Sequence, residues 1–295
     1  MLSTLFKRCG ALLLCVTFCA LCFFNVAASA APSEKPLIVG ITPNLSPRSM
    51  LAVYQPLRQE LESRLARPVE LYTAPDFRRY YLRSVKGEYD LVLMPAHLAR
   101  LAQIEAGFVP IAKFMPMQEG VILVAKKSSI DHVNDLRGKR IVLVDNLALV
   151  TLRAEDWLRA HGLSPNGNVS LAKNFTYHNA AVEAVINGHM DAAIVASAPF
   201  ASMPQDMREA VRVLGTTGKM PSNVFMANPK LSKEERRQLQ GVLLEFARHS
   251  AAGRDFLARY RYQAIVPLAI NELRAMDPYA QRAKQIMEAQ GRAGR

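Results

Sequence analysis

Residues 109–126, VPIAKFMPMQEGVILVAK, decide the architecture of this chain. Two strand-like runs, Val109–Phe114 and Gly120–Lys126, follow one another here with no helical pattern between them. On both sides of this stretch, short apolar runs alternate with segments of helical periodicity, which is typical of parallel sheets covered by helices. The stretch therefore predicts a crossing between two α/β lobes.

The same strand–helix pattern is predicted before and after this crossing. Before it, the expected strands are Leu37–Thr42, Val69–Ala74 and Tyr89–Met94, and the expected helices include Phe77–Val85 and His97–Ala106. After it, the expected strands are Arg140–Asp145, Val169–Ala172, Asp191–Ala196, Val211–Gly215 and Asn223–Ala227. Ser232 and Glu235 form a capping box at the start of a long helix. We expect a first lobe from 31–118, a second lobe from 119–218, and a return to the first lobe with C-terminal helices over 219–295.

Open α/β sheets bind ligands where loops leave the carboxyl ends of their strands. Helix starts in such loops present free N–H groups and a positive dipole end, both of which favour anions. The loops expected to form a site are Thr42–Arg48, Ala74–Tyr80, Met94–His97, Asp145–Thr151, Phe175–Asn179 and Ala196–Phe200.

The N-terminal segment has the layout of a secretory signal. Lys7 and Arg8 precede an uncharged run from Ala11 to Phe24, and small residues follow up to Ala30. This order predicts a signal peptide of residues 1–30, cleaved after Ala30. The alternative is a membrane anchor, which needs about 20 apolar residues, more than this run offers. We therefore expect export to the periplasm.

Cysteine and charge usage exclude several classes of protein. All four cysteines lie in the first 22 residues, so the processed chain has no disulfide, cysteine metal site or cysteine nucleophile. Loss of Lys7 and Arg8 with the signal peptide lowers the formal net charge from +12 to +10. The remaining Lys and Arg are scattered, whereas nucleic-acid binders cluster them on one face. We expect no nucleic-acid partner, although the charge favours anionic ligands.

Catalytic motifs are missing from the sequence. It contains no nucleophile elbow, no HExxH pair and no glycine-rich phosphate loop followed by Lys. The six histidines, at 97, 132, 161, 178, 189 and 249, show no metal-type spacing of three or four residues. We expect neither a metal nor a cofactor and no enzymatic activity. The alternative, an enzyme, requires turnover that is lost on substituting His178 or His97.

Several segments, in order along roughly residues 36–250, resemble the phosphonate/phosphite-type periplasmic binding proteins. The matching segments are Val39–Pro47, Arg67–Leu71, Ala74–Phe77, Gly87–Val92, Asp135–Ile141, Tyr177–Val185 and Asn187–Ala192. The resemblance implies a two-lobed type II solute-binding fold whose hinge closes on a small anionic ligand. It also implies a monomer that delivers this ligand to an inner-membrane ABC permease. The alternative partner is a membrane histidine kinase that senses the closed form.

One loop departs from the family pattern. Members of the family typically hold the phosphonate with a Ser-Thr-Ser run after the first strand of the second lobe. Here Asp145-Asn146 is followed by Leu147-Ala148-Leu149-Val150-Thr151, so apolar side chains replace the three hydroxyls. Each lost hydrogen bond to a charged oxygen costs about 1.5–3 kcal/mol if nothing compensates. We therefore expect this chain to share the fold of the family, but we do not infer its ligand from the resemblance.

Candidate ligand-binding residues follow from the loops and the resemblance. His178 matches a ligand-facing histidine of the family, with a helix cap or surface histidine as the alternative. His97 and Phe77 match positions where relatives place aromatic contacts, and either one has a purely structural alternative. The guanidinium of Arg78 suits an oxyanion, but a solvated helix face accounts for it equally. The remaining candidates are the polar Thr42, Asn44, Asn146, Thr151, Tyr177 and Asn179.

Overall fold

The computed structural model describes residues 35–164 and 167–293. The predicted signal peptide of residues 1–30 lies outside the described residues. Among the described helices, none combines the length and the apolar character that crossing a bilayer requires.

The strands of the described residues largely follow the expected alternation. In chain order they are β1 (Leu37–Ile41), β2 (Val69–Tyr72), β3 (Leu91–Met94), β4 (Val109–Met115), β5 (Gln118–Ala125), β6 (Arg140–Val144), β7 (Ser170–Phe175), β8 (Ala192–Ala196), β9 (Val211–Met220), β10 (Val224–Ala227) and β11 (Ala264–Pro267). Strand β11 is not among the expected strands. Its four residues are too few to show an alternation of apolar and polar side chains, and the segment around them is expected to be helical.

The helices expected at Phe77–Val85, at His97–Ala106 and after Ser232 begin at or next to the expected residues. In chain order they are α1 (Pro47–Leu65), α2 (Phe77–Val85), α3 (Ala96–Ala106), α4 (Leu149–Ala160), α5 (His178–Ile186), α6 (Ser197–Ala201), α7 (Gln205–Glu209), α8 (Lys233–His249), α9 (Ala251–Arg259) and α10 (Asp277–Ala293). The capping box at the start of α8 is present, with Ser232 and Glu235 bonded reciprocally. Short 3₁₀ turns cover Val133–Leu136 and Glu272–Met276.

The strands form two sheets, which define two lobes. The first sheet has the order β11-β4-β10-β3-β1-β2, and the second has the order β7-β6-β8-β5-β9. The chain passes from the first sheet to the second between β4 and β5 and returns between β9 and β10. We call the first sheet with its helices the first lobe, and the second sheet with its helices the second lobe.

Both sheets mix parallel and antiparallel pairs. Strand β1 is parallel to β2 and β3, and β6 is parallel to β7 and β8. Strands β5 and β10, which lie next to the two crossings, are antiparallel to their neighbours. Parallel neighbours need a crossover helix, whereas the crossing strands are joined without one. The central strands β3 and β8 are buried along their whole length, as expected for sheets covered on both faces.

Close packing fixes α2 over the ends of β1 and β3. Gly40 of β1 lies against the ring of Tyr89, where an added Cβ would meet ring carbon at 2.6 Å. The Tyr80 hydroxyl of α2 donates to the carbonyls of Gly40 and Leu93, each at 3.0 Å. The first turn of α2, which starts at Phe77, is thereby held at the carboxyl edge of the sheet.

The C-terminal helix α10 contacts both lobes. It packs along α3 of the first lobe, where Lys284 pairs with Glu105 at 2.8 Å. Its Arg282 pairs with Glu155 on α4 of the second lobe. This helix therefore links the lobes on the outside of the molecule.

Candidate functional site

A cavity of about 40 Å³ lies between the two lobes. Each of the six expected strand-to-helix loops contributes to its wall. The wall consists of Asn44, Tyr54, Phe77, Pro95, Phe114, Gln118, Ala148, Leu149, Val150, His178, Ala196, Pro199, Met220, Pro221, Asn223, Tyr260 and Tyr262. The carboxyl edges of both sheets thus converge on one space between the lobes, as the topology of open α/β sheets requires.

Helix N-termini form much of this wall. Phe77, Leu149 and His178 are the first residues of α2, α4 and α5. The backbone N–H groups of Leu149 and Val150 find no acceptor among the described residues. Free N–H groups and the positive end of the helix dipole stabilise negative charge. The cavity therefore offers an anion hydrogen-bond donors without offering it a cation.

No charged side chain belongs to the wall as the described residues form it. Asp145, three residues before Ala148 of the wall, instead braces the loop before α4. Its carboxylate accepts from the N–H of Leu147 at 2.8 Å and from the N–H of Phe77 at 3.4 Å. Burial raises the pKa of Asp145, and these two hydrogen bonds oppose that rise. The second bond connects the second lobe to the start of α2 in the first.

Two further hydrogen bonds join the lobes beside the cavity. The His178 N–H donates to the carbonyl of Asn44 at 3.3 Å. The His97 ring meets the carbonyl of Leu147 through Nε2 at 2.9 Å. Together with the bond from Phe77 to Asp145, these contacts hold the loops of the two lobes against one another.

His97 is fully buried and bonds away from the cavity. Because a carbonyl only accepts, its Nε2 must carry the proton, and Nδ1 has no partner among the described residues. Burial lowers the pKa of His97 to about 4, although the bond to the Leu147 carbonyl partly offsets this. The neutral ring therefore positions the loop that precedes α4.

His178 lies in the cavity wall. Its Nδ1 accepts from the N–H of Ala196 at 3.4 Å, which places the proton of the neutral ring on Nε2. No described residue accepts from that Nε2–H, and burial lowers the pKa of His178 to about 4. The Nε2–H of the neutral His178 ring is therefore a hydrogen-bond donor without an acceptor among the described residues.

Of the ten residues expected at the site, Asn44, Phe77 and His178 line the cavity and the other seven do not. The hydroxyls of Thr42 and Thr151 donate to backbone carbonyls of Leu93 and Val144, at 2.6 and 3.1 Å. Both side chains are buried, so their hydroxyls support the strand ends.

Four more expected residues are absent from the wall of the cavity. Successive helical residues are turned by about 100°, so Arg78 leaves the cavity that Phe77 enters and lies in a groove beside α10. The Asn146 side chain accepts from Gln290 of α10 at 3.4 Å. Tyr177 is the residue before α5, and Asn179 has a buried Oδ1 with no partner among the described residues.

Sequence reasoning found Phe77 but missed the other aromatic residues of the wall, which are Tyr54, Phe114, Tyr260 and Tyr262. The rings of Phe114 and Tyr262 stack with their centres 4.5 Å apart. Phe114 and Gln118 lie at the predicted crossing between the lobes. Because such a crossing forms the floor of the cleft, its position in the sequence was a signal for both residues. Tyr260 and Tyr262 had no such signal, because only the return of the chain brings them back to β4.

Two sheets of mixed strands, each flanked by helices, with a cavity where their loops meet, define a two-lobed ligand-binding protein of the type II periplasmic class. Residues 39–273 match the model of the family described as ABC transporter, phosphonate, periplasmic substrate-binding protein. The chain belongs to this family, as its sequence segments indicated.

Solved structures share the fold at low sequence identity. A binding protein component of an ABC phosphonate transporter from Pseudomonas aeruginosa is 15% identical, with a TM-score of 0.74 over 86% of this chain and 89% of that one. PhnD1 from Prochlorococcus marinus, solved with methylphosphonate, is 15% identical, with a TM-score of 0.75 over 85% and 98%. The aliphatic sulphonate binding protein SsuA from Escherichia coli is 21% identical, with a TM-score of 0.59 over 88% and 94%.

Membership in this family settles the general role. Its members are periplasmic substrate-binding components of ABC transporters and not enzymes. The expectation of a binding protein without catalytic activity is confirmed, and so is the expected two-lobed fold.

Proposed function

We propose that this protein captures a small anionic ligand of the phosphonate/phosphite oxyanion class and delivers it to an ABC importer of the inner membrane. The observation that carries the proposal is the cavity between the lobes, to which all six strand-to-helix loops contribute. The proposed form is a monomer whose signal peptide is cleaved after Ala30. Its lobes span 31–118 with 219–295, and 119–218.

The cavity stabilises the anion with neutral groups. Backbone N–H groups at the start of α4, the dipole of that helix and the Nε2–H of His178 all act as donors. In a closed, water-poor space such donors bind a charged oxygen more strongly than they do in water. Asn44 and Phe77 complete the contacts proposed for the ligand, and Thr42, His97 and Thr151 hold the loops in place. Arg78, Asn146, Tyr177 and Asn179 have no assigned contact.

Closure about the two crossings is the proposed conformational change. The bonds from Phe77 to Asp145, from His178 to Asn44 and from His97 to Leu147 exist only when the loops of both lobes meet. A ligand that bonds to both lobes adds to these contacts and shifts the population toward the closed form. The importer then distinguishes the closed form from the open one.

Calorimetry on the purified protein tests this function. We expect binding of at least one of phosphate, phosphite, methylphosphonate or sulfate. His178→Ala should weaken that binding about tenfold, because one hydrogen bond to a charged oxygen is lost. His189→Ala is the matched control, since His189 is exposed and lies just beyond the end of the same helix. Failure of every anion to bind contradicts the proposed function, and unchanged affinity in His178→Ala removes His178 from the site.

A further inference from the structure

A second, larger cavity of about 360 Å³ lies beside the first. Its wall combines the crossing before β5, helices α6 and α7, strand β9 and the segment after α9. The wall consists of Pro116, Met117, Gln118, Val121, Ser197, Ala198, Phe200, Ala201, Arg208, Glu209, Val211, Val213, Tyr260, Arg261 and Tyr262. We call it the side chamber.

The side chamber adjoins the first cavity directly. Gln118, Tyr260 and Tyr262 belong to the walls of both. These three side chains therefore form a wall that is common to the two spaces.

Gln118, which lies in the wall shared by the two cavities, has an amide oxygen without a hydrogen-bond donor among the described residues. Its Oε1 is buried and has no hydrogen-bond partner among the described residues. Buried polar atoms of native proteins nearly always have a partner, so an exception needs an explanation. Among the described residues, no hydrogen bond therefore fixes the amide oxygen of Gln118 at this position.

The size of the first cavity limits what it can hold. The first cavity measures about 40 Å³, whereas ligand pockets usually measure about 300–1,000 Å³. A space of this size leaves little room for a substituent beyond an oxyanion headgroup. The side chamber supplies the missing volume within the same cleft.

Most of the side chamber's wall is uncharged, and its charged members are Arg208, Glu209 and Arg261. Met117 and Val213 are exposed to solvent by 47% and 51%, which is a large fraction for apolar side chains in a wall. Phe200, Val121 and Ala198 continue this apolar surface inward. Covering such a surface with an apolar group removes it from water and favours binding.

We propose that the side chamber is a subsite for the apolar substituent of an organic phosphonate. The headgroup lies at the N-termini of α4 and α5, and the substituent passes Gln118 between Tyr260 and Tyr262. The inference rests on the proposed function, because it assumes that the first cavity holds the headgroup. It predicts a preference for phosphonates with large apolar substituents over methylphosphonate.

A series of ligands tests the subsite by calorimetry on the purified protein. Methyl-, propyl-, hexyl- and phenylphosphonate share a headgroup and differ in the substituent alone. We expect hexylphosphonate to bind at least tenfold more tightly than methylphosphonate, since each buried methylene adds to the affinity. Methylphosphonate that binds as tightly as hexylphosphonate, or more tightly, overturns the subsite and leaves the proposed function intact. Absence of binding by the whole series overturns the subsite, and the proposed function fails with it only when phosphate, phosphite and sulfate do not bind either.

A charged side chain placed in the side chamber tests whether the affinity advantage of hexylphosphonate arises there. Val213→Glu should remove the advantage of hexylphosphonate and change the affinity for methylphosphonate less than twofold. Ile104→Glu on α3 is the control, because Ile104 is similarly exposed, by 58%, and lies outside the side chamber. Equal losses for both ligands in Val213→Glu, or an unchanged advantage of hexylphosphonate, contradict the assignment.

Discussion

Helix α4 contacts the rest of the molecule differently at its first turn (residues 149–151), which we call its uncharged end, and in its second half (residues 155–160), which we call its ionic or charged end. The first turn, Leu149 to Thr151, faces the cavity and its surroundings with apolar or internally bonded side chains. Two turns later, Glu155 and Asp156 face charged partners. One helix thus contributes an uncharged wall to the site and an ionic contact to the exterior.

The ionic end joins the lobes through α10. Glu155 is only 8% exposed and pairs with both Lys173 and Arg282. Asp156 pairs with Arg282 at 2.9 Å and accepts from the Tyr279 hydroxyl at 3.0 Å. Because α10 packs on α3, these bonds tie the second lobe to the first without involving the cavity.

The contrast shows where charge is placed in this protein. In a buried ion pair, the attraction between the two charges offsets part of the free-energy cost of removing them from water. A single charge in the cleft would bear that cost without a partner. The site instead presents neutral donors, which are the N–H groups of Leu149 and Val150 and the Nε2–H of His178. The charged end of α4 sets the arrangement of the lobes, and the uncharged end sets what lies between them.

The largest expected effect concerns pH and the histidines near the uncharged end. Burial lowers the pKa of His97 and His178 to about 4 in the folded protein, against about 6.5 in the unfolded chain. Their contribution to stability is complete above pH 6.5 and is lost as the pH falls toward 4. We expect the free energy of unfolding to fall by about 2–3 kcal/mol per histidine between pH 7.5 and 4.5.

Urea unfolding at these pH values measures this loss. The double variant His97→Gln with His178→Gln should show a flatter dependence, because Gln keeps an amide donor and does not titrate. His189→Gln should leave the dependence unchanged, since His189 is exposed. An unchanged slope in the double variant would mean that other groups are responsible.

The next effect concerns the ionic end. Arg282→Met leaves Glu155 with Lys173 as its remaining ion-pair partner among the described residues. We expect the free energy of unfolding to fall by about 2 kcal/mol, less than for a fully buried pair because Arg282 is partly exposed. Thermal and urea unfolding measure it. Arg292→Met on the same helix is the control, since Arg292 is exposed, and equal effects of the two variants would refute a special role for Arg282.

The smallest effect is a gain of affinity at the uncharged end. Leu149→Ser returns one hydroxyl to the loop where related proteins typically have three. One added bond to a charged oxygen should tighten methylphosphonate binding about tenfold in calorimetry. Ala160→Ser adds the same group at the exposed end of α4 and should change nothing. Weaker or unchanged binding in Leu149→Ser indicates that the headgroup lies away from this turn.

The sequence was most informative about local elements and the loops between them. Apolar runs and helix starts located α2 and all six loops that surround the cavity. They did not locate β11, whose four residues gain their strand geometry from pairing with β4. They also did not separate Phe77 from Arg78, because both follow the same helix cap and only packing decides which of the two enters the cleft.

The sequence by itself determined the two-lobed architecture and the loss of hydroxyls before α4, because periodicity and residue type act over short distances. Tertiary structure decided which side chains meet in the cavity. His178 reaches it while His97 bonds Leu147, and Tyr260 and Tyr262 arrive from the far end of the chain. The physical reason is that hydrogen bonds and ring contacts depend on distances that only the folded chain establishes.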